Sequence, residues 1–352
     1  MKKRVLYFDF LNIFAAIAVI TMHINGMVHL YSDTLAWKQA LVAEVAGFWA
    51  VPMFLMLSGA TLMGYRQRYT TKEFFKKRFV RALIPFVIWS FISMFLNGYN
   101  VVELGVTGVI NKLFFCEYES VYWFFMPLFS VYLSMPVVSL LKDNRRILWY
   151  MVGGAFALYS FLPLAVTWVG LGWNGLLQMP AVSGYLMYPV LGYLLSTMEI
   201  KKVHRIGIYI AGLLCAVFRY VAVLTLSQAD GAVNRKYFDD RGFYAAILAV
   251  AVFVFVKNSK IVEKIGKKDK LSNAVKTISG CSFGVYLIHM HVINQILWRV
   301  FERDSFTWRT AGIVVTYLIA LSVTFCKMFF KLEFNNVTKR VVRQIHWRID
   351  HV

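Results

Sequence analysis

Ten long apolar runs, separated by short polar stretches, limit what this chain can fold into more than any other feature of its 352 residues. They lie at roughly 10–29, 41–64, 82–99, 121–141, 147–169, 179–198, 206–226, 242–256, 277–298 and 310–330. Most approach the ~20 residues that carry an α-helix across a hydrocarbon core at ~1.5 Å per residue. The eighth is short and borrows Phe238 or the stretch to Asn258. With 59% hydrophobic and 16% charged residues, the chain holds more apolar surface than one soluble core can hide. Lipid can solvate the outward faces of helices. The expected fold is therefore all-α, a polytopic membrane bundle of about ten transmembrane helices. It reads as one transmembrane domain over 1–352, with a basic cytoplasmic tail at 331–352.

A net charge of +20 raises nucleic acid as a partner, and the placement of the charges argues against it. Segments 1–9, 65–81, 142–146, 199–205, 257–276 and the tail from Lys327 hold 29 Lys or Arg. The alternate segments hold 8, and Arg219 lies inside a run. That split is the positive-inside pattern, which puts both termini and the basic set in the cytoplasm. The basicity thus concerns topology and anionic membrane lipid.

The first run follows Lys2-Lys3-Arg4, as a signal peptide would. It is longer than a signal h-region, contains Asp9, Asn12 and His23, and lacks a small-x-small cleavage pattern, so it predicts a retained helix. The cysteines Cys116, Cys215, Cys281 and Cys326 are dispersed, and neither a disulfide framework nor a metal site is indicated. No Gly-rich phosphate loop or Gly-x-Ser-x-Gly elbow occurs.

Chemistry then has to come from polar residues within the bilayer, which are costly there and mark pathways or sites. His23 lies eleven residues after Asn12, almost a whole number of turns, so the two share a face about 16 Å apart along the axis. His23 is either a buried histidine bonded across helices or the centre of a site. Asp9 reads as a helix-start or ion-pair residue. Thr70-Thr71-Lys72-Glu73 reads as a capping box. On the helix it opens, Arg78 and Arg81 share a face, with Lys77 four residues before Arg81. A guanidinium pair at the cytoplasmic mouth suits a phosphorylated ligand, and it equally suits lipid headgroups. Tyr286, His289 and His291 fall in the ninth run, with the two histidines pointing to different sides. Tyr122-Trp123 opens the fourth run at the outer interface, as anchors or as a sugar platform. Arg219 needs an anionic partner or a wet cavity.

Several segments resemble the membrane acyltransferase-3 family. They are Asp9-Phe-Leu-Asn12 with His23, Val51-Pro-Met-Phe-Leu-Met-Leu-Ser-Gly59, and Lys77-Arg78-Phe-Val-Arg81-Ala-Leu-Ile-Pro85. Tyr122-Trp-Phe-Phe, Tyr132-Leu-Ser-Met-Pro136 and Ser282-Phe-Gly-Val-Tyr-Leu-Ile-His289 follow in the same order. The family pattern has an arginine where this chain has Asn12. The resemblance implies a ten-helix O-acyltransferase of the plasma membrane, of the bacterial inner-membrane kind. It would move an acyl group, usually acetyl from acetyl-CoA, to a cell-envelope carbohydrate such as an exopolysaccharide. On this reading acyl-CoA is the co-substrate, no cofactor is tightly bound, and glycan-synthesis machinery is a partner. Arg78 and Arg81, supported by Lys77, would hold the CoA phosphates. The pantetheine arm would pass Asn12, and His23 would serve as general base or accept the acyl group. Tyr122, Trp123, Arg219, Tyr286 and His289 would contact or support the acceptor. The rival readings are a transporter or flippase with His23, Arg219 and His289 along its path, and a structural partner of a polysaccharide synthase.

Overall fold

The structure, a computed structural model, describes residues 4–326. The basic tail at 331–352 lies outside the described residues. Among those described, every regular element is helical. Fifteen α-helices follow in chain order: α1 (Leu6–Ile24), α2 (Leu35–Gly47), α3 (Ala50–Leu62), α4 (Thr71–Arg78), α5 (Ile84–Leu96), α6 (Val101–Phe114), α7 (Phe125–Val138), α8 (Arg145–Ala155), α9 (Leu162–Trp168), α10 (Met187–Thr197), α11 (Lys202–Asp230), α12 (Phe243–Lys257), α13 (Lys260–Gly266), α14 (Asp269–Gln295) and α15 (Phe306–Cys326).

Seven stretches are long and apolar enough to cross a membrane, and α12 with α13, bent by 45°, makes an eighth. Each of the ten apolar runs contains helix among the described residues, and two of them fall short of that standard. In the sixth, only the 11 residues of α10 are helical. Pro180, Ser183 and Gly184 open that run, and such residues favour turns over helix. The ninth becomes α14, 27 residues long, whose apolar character is diluted by Ser279, Ser282, His289 and His291.

Prolines shape two spans. Phe79–Leu83 and Phe156–Phe161 are π-helical, and each ends two residues before a proline, Pro85 and Pro163. Proline offers no N–H and crowds the carbonyl one turn back, and a widened turn relieves both. At the start of the third span, Thr70 caps α4 by accepting the Glu73 N–H at 3.3 Å.

The centre of the bundle depends on small residues. A Cβ built on Gly59 of α3 would sit 1.8 Å from the Pro189 carbonyl oxygen of α10, and one on Gly192 would sit 2.1 Å from that of Met56. Backbones touch here because nothing stands between them, a device suited to helices that lipid cannot drive together. Against α3 packs α1, and α14 packs on α1, joined by Asn12, whose Nδ2 donates to the Ser279 carbonyl at 2.9 Å and to Ser279 Oγ at 3.2 Å.

Candidate active site

A cavity of about 1110 Å³ opens where α1, α3, α7, α10 and α14 converge below the third span. Its basic lining residues are Arg4, Arg68, Arg78, Arg81, Lys142 and Lys257, against Asp9 and Asp143 as acids. All six basic residues come from the arginine- and lysine-rich segments of the sequence, so these segments meet at one end of the bundle. Arg78 ends α4, and Arg81 lies in the π-helical turn that Pro85 imposes; both line the cavity. Arg78 lies 5.6 Å from the Tyr132 ring centre, and its Nε is buried without a partner. Among the described residues neither arginine makes an ion pair. Two guanidinium groups without carboxylate partners in a roomy basic cavity can grip phosphate oxygens.

Lys77 is placed otherwise. Its Nζ pairs with Glu73 at 3.0 Å and lies 3.9 Å above the Tyr69 ring, and it is not among the residues lining this cavity. Asn12 lines it further in, beside Ser279. Asp9 is held by the Arg4 guanidinium, which also donates to the Lys276 carbonyl at 3.0 Å.

His23 stands in two other spaces. A pocket of about 180 Å³ is lined by His23, Glu44, Trp123, Asp240 and Tyr286, and one of about 330 Å³ by His23, Asn294, Trp298, Asp304 and Trp308. The loop residues among these, Asp240 and Asp304, belong to the segments poor in basic residues, the opposite set from that around Arg78. The large cavity and the 180 Å³ pocket share two lining residues, Phe54 and Phe124.

The His23 ring packs on that of His289, centroids 5.2 Å apart. His289 is fully buried, and its Nδ1 lies 2.6 Å from the Tyr286 carbonyl oxygen. A carbonyl only accepts, so Nδ1 carries a proton, and Nε2 lies on the edge of the ring away from that bond. No protein donor reaches that Nε2. His291 points elsewhere, to Ser93 Oγ at 3.0 Å with its ring stacked on Trp89. The imidazole of His23 is thus set at the wall of two open pockets with a second imidazole, held by its own helix, behind it. Such a group can take a proton from a hydroxyl or attack a carbonyl itself.

The aromatic pair opening the fourth run divides its work. Tyr122 is fully buried, and its hydroxyl donates to the Leu287 carbonyl at 2.7 Å. Tyr286 of α14 returns the contact, its hydroxyl bonded to the Val121 carbonyl. These two tyrosines latch the Ser120–Phe124 turn to the helix that carries His289. Trp123 stays 40% exposed at the 180 Å³ pocket, and it keeps a free face.

Arg219 finds its partner in Glu44. The guanidinium meets Glu44 Oε1 at 3.3 Å, donates to the Tyr237 carbonyl at 2.8 Å, and lies 3.5 Å above the Phe48 ring. Removing one member of such a buried pair costs about 3–5 kcal/mol. Arg219 of α11 therefore ties α2, through Glu44, to the loop at Tyr237, one layer behind the pocket. Sequence reasoning passed over Glu44, though an acid inside the second apolar run was a readable signal. It also passed over Asp240, which no periodicity marks. Asp240 Oδ1 accepts from the Tyr185 hydroxyl at 3.1 Å, while Oδ2 is buried without a partner. Burial and neighbouring Asp239 push its carboxyl up to about 6.

No curated protein and no solved structure matches the chain. Residues 5–325 match the acyltransferase domain of the acyltransferase-3 family. The match spans α1 through almost all of α15 and includes Asn12, His23, Arg78, Arg81 and His289. The chain therefore belongs to the acyltransferase-3 family of membrane acyltransferases.

Proposed function

We propose that the protein is an O-acyltransferase that takes an acyl group, acetyl first among them, from cytoplasmic acyl-CoA and places it on a hydroxyl of a cell-envelope carbohydrate at the outer face. One observation carries the reading: a large basic cavity at one end of the bundle meets, across two shared side chains, a pocket at the other end that contains His23. A two-sided transfer needs that arrangement.

Acyl-CoA enters the cavity with its phosphates on Arg78 and Arg81. Its pantetheine arm runs along α1 past Asn12 and brings the thioester toward His23. Asn12, neutral where the family carries arginine, is engaged with Ser279 and lends shape to this passage rather than charge. The acceptor sugar enters beside Trp123, with Asp240 Oδ2 free to accept from a sugar hydroxyl. A bare nitrogen of His23 takes the proton of the attacking hydroxyl as its oxygen bonds to the thioester carbon. The carbon–sulfur bond breaks, the CoA thiolate leaves, and the imidazolium returns the proton to sulfur. In the two-step variant His23 carries the acyl group between donor and acceptor. Holding both substrates against one imidazole converts an encounter of three bodies into a local event.

The test uses the purified protein in lipid nanodiscs with acetyl-CoA labelled in the acetyl group. Release of CoA thiol and transfer of label to envelope glycan support the reading. A transporter or a synthase subunit would leave the thioester intact.

A further inference from the structure

We propose that the Phe54 and Phe124 rings form an acyl-length filter between the two cavities, passing an acetyl group to His23 and holding back longer chains and water. The inference rests on the acyl-CoA reading above and names the donor class more narrowly.

Phe54 and Phe124 are the two residues common to both linings, so they form the partition. Their ring centroids lie 5.9 Å apart. The Tyr286 ring packs on each, at 6.4 Å from Phe54 and 5.8 Å from Phe124. Its hydroxyl is fixed to the Val121 carbonyl, three residues before Phe124. Phe124 ends a turn latched to α14 by two tyrosines, and Phe54 sits on α3 behind the Gly59–Pro189 contact. Both rings thus stand on rigid backbone. The rings are in contact, so an acyl group passes only as the side chains rotate aside, and the width that opens on fixed backbone is small.

On the donor side lies a wide basic space, and on the acceptor side a pocket of about 180 Å³ that must also admit the sugar hydroxyl. An acetyl group that parts the rings places its carbonyl carbon between them with one methyl beyond. Each further methylene has to displace a ring or occupy the acceptor's space. A single methylene in a fitted apolar site is discriminated by about 10–200-fold. The same rings keep donor-cavity water from the acyl carbon once it stands beside His23. Water would otherwise add its oxygen to the acyl carbon, the carbon–sulfur bond would break, and the products would be the free acid and CoA thiol. Exclusion of water from a reactive group is a recognised use of such closure.

The experiment measures CoA thiol release by the full-length protein in nanodiscs from acetyl-, butyryl- and hexanoyl-CoA without acceptor, beside acetyl-CoA affinity by calorimetry. Wild type should release CoA slowly and favour acetyl over butyryl by about tenfold or more. Phe54→Ala and Phe124→Ala should raise release from acetyl-CoA about tenfold and bring butyryl level with acetyl, with acetyl-CoA affinity unchanged. Phe54→Leu and Phe124→Leu should show the same trend at smaller size, and they serve where the alanine variants unfold. Variants that bind acetyl-CoA as wild type does, yet keep its chain-length ratio and slow release, overturn the filter. A wild-type protein that binds no acyl-CoA overturns the donor reading itself, and that result is distinct from a failed filter.

Discussion

His23 of α1 and His289 of α14 face each other with ring centroids 5.2 Å apart, and the inner ring is tied by Nδ1 to the Tyr286 carbonyl. The tie puts a proton on Nδ1 and fixes the orientation of the ring that packs on His23. Packed against His23, the His289 ring holds the orientation of the imidazole that is to gain charge. His289 is a positioning residue on this account. His289→Ala should lower kcat by about tenfold or more and leave the acyl-CoA KM unchanged, because the loss falls on the step where His23 gains charge. Steady-state kinetics with acetyl-CoA varied decide it, and an equal rise in KM would mean that the bundle has shifted instead.

Arg78 and Arg81 line the large basic cavity, and among the described residues neither has a carboxylate partner. Arg78→Lys and Arg81→Lys keep the charge, so insertion and lipid attraction should persist. Lysine lacks the planar fork that holds phosphate oxygens at two points. Each substitution should raise the acyl-CoA KM about tenfold with a smaller change in kcat, since the contact is remote from the thioester. Lys77→Gln removes a charge that already pairs with Glu73, and it should do little. Unchanged KM in both arginine variants would reduce the pair to topology markers.

Gly59 meets the Pro189 carbonyl with no room for a methyl group. Gly59→Ala must push α3 from α10, and overpacking of this kind costs about 1–3 kcal/mol or more. Gly153 of α8 has nothing within 4 Å of a built Cβ, so Gly153→Ala should be neutral or stabilising by about 0.4–1 kcal/mol. Thermal melts in one detergent compare the two. Equal melting temperatures would remove the close α3–α10 contact from the account.

Asp240, in the loop before α12, carries a carboxyl pushed up to about 6 by burial and by Asp239. A carboxyl whose folded pKa is raised favours the protonated fold. Its contribution is fully present below the unfolded value of about 3.9 and is lost as pH rises through about 6. Wild type should therefore lose stability between pH 5 and pH 7.5 relative to Asp240→Asn, which cannot ionise. Parallel melting curves across that range would show Oδ2 to be well solvated or well partnered.

Much of this architecture was legible in residue order. Thr70 and Glu73 announced the cap of α4, and the eleven-residue spacing put Asn12 and His23 on one face of α1. The cavities add what spacing cannot: Asn12 looks into the basic space and His23 into the other two. Arg219 demanded an anion, and finding Glu44 required the fold, because the two are 175 residues apart. Tyr122 and Tyr286 look alike as interfacial aromatics until their hydroxyls are seen crossing between segments. Phe54 and Phe124 were invisible in the sequence, since two phenylalanines among 30 carry no mark until cavities are drawn on either side of them. Local rules set caps, breaks and faces. Pairings between distant helices belong to tertiary packing.

The central claim is that His23 performs the transfer, and one comparison tests it most directly. Wild type and His23→Ala, both in nanodiscs, are given acetyl-CoA and envelope glycan, with acetyl-CoA affinity and label transfer measured on the same samples. A general base is worth ~10²–10⁴ in rate. The account predicts that His23→Ala binds acetyl-CoA as wild type does and transfers label at least about a hundredfold more slowly. A variant that binds normally and keeps more than about a tenth of the wild-type rate would contradict it.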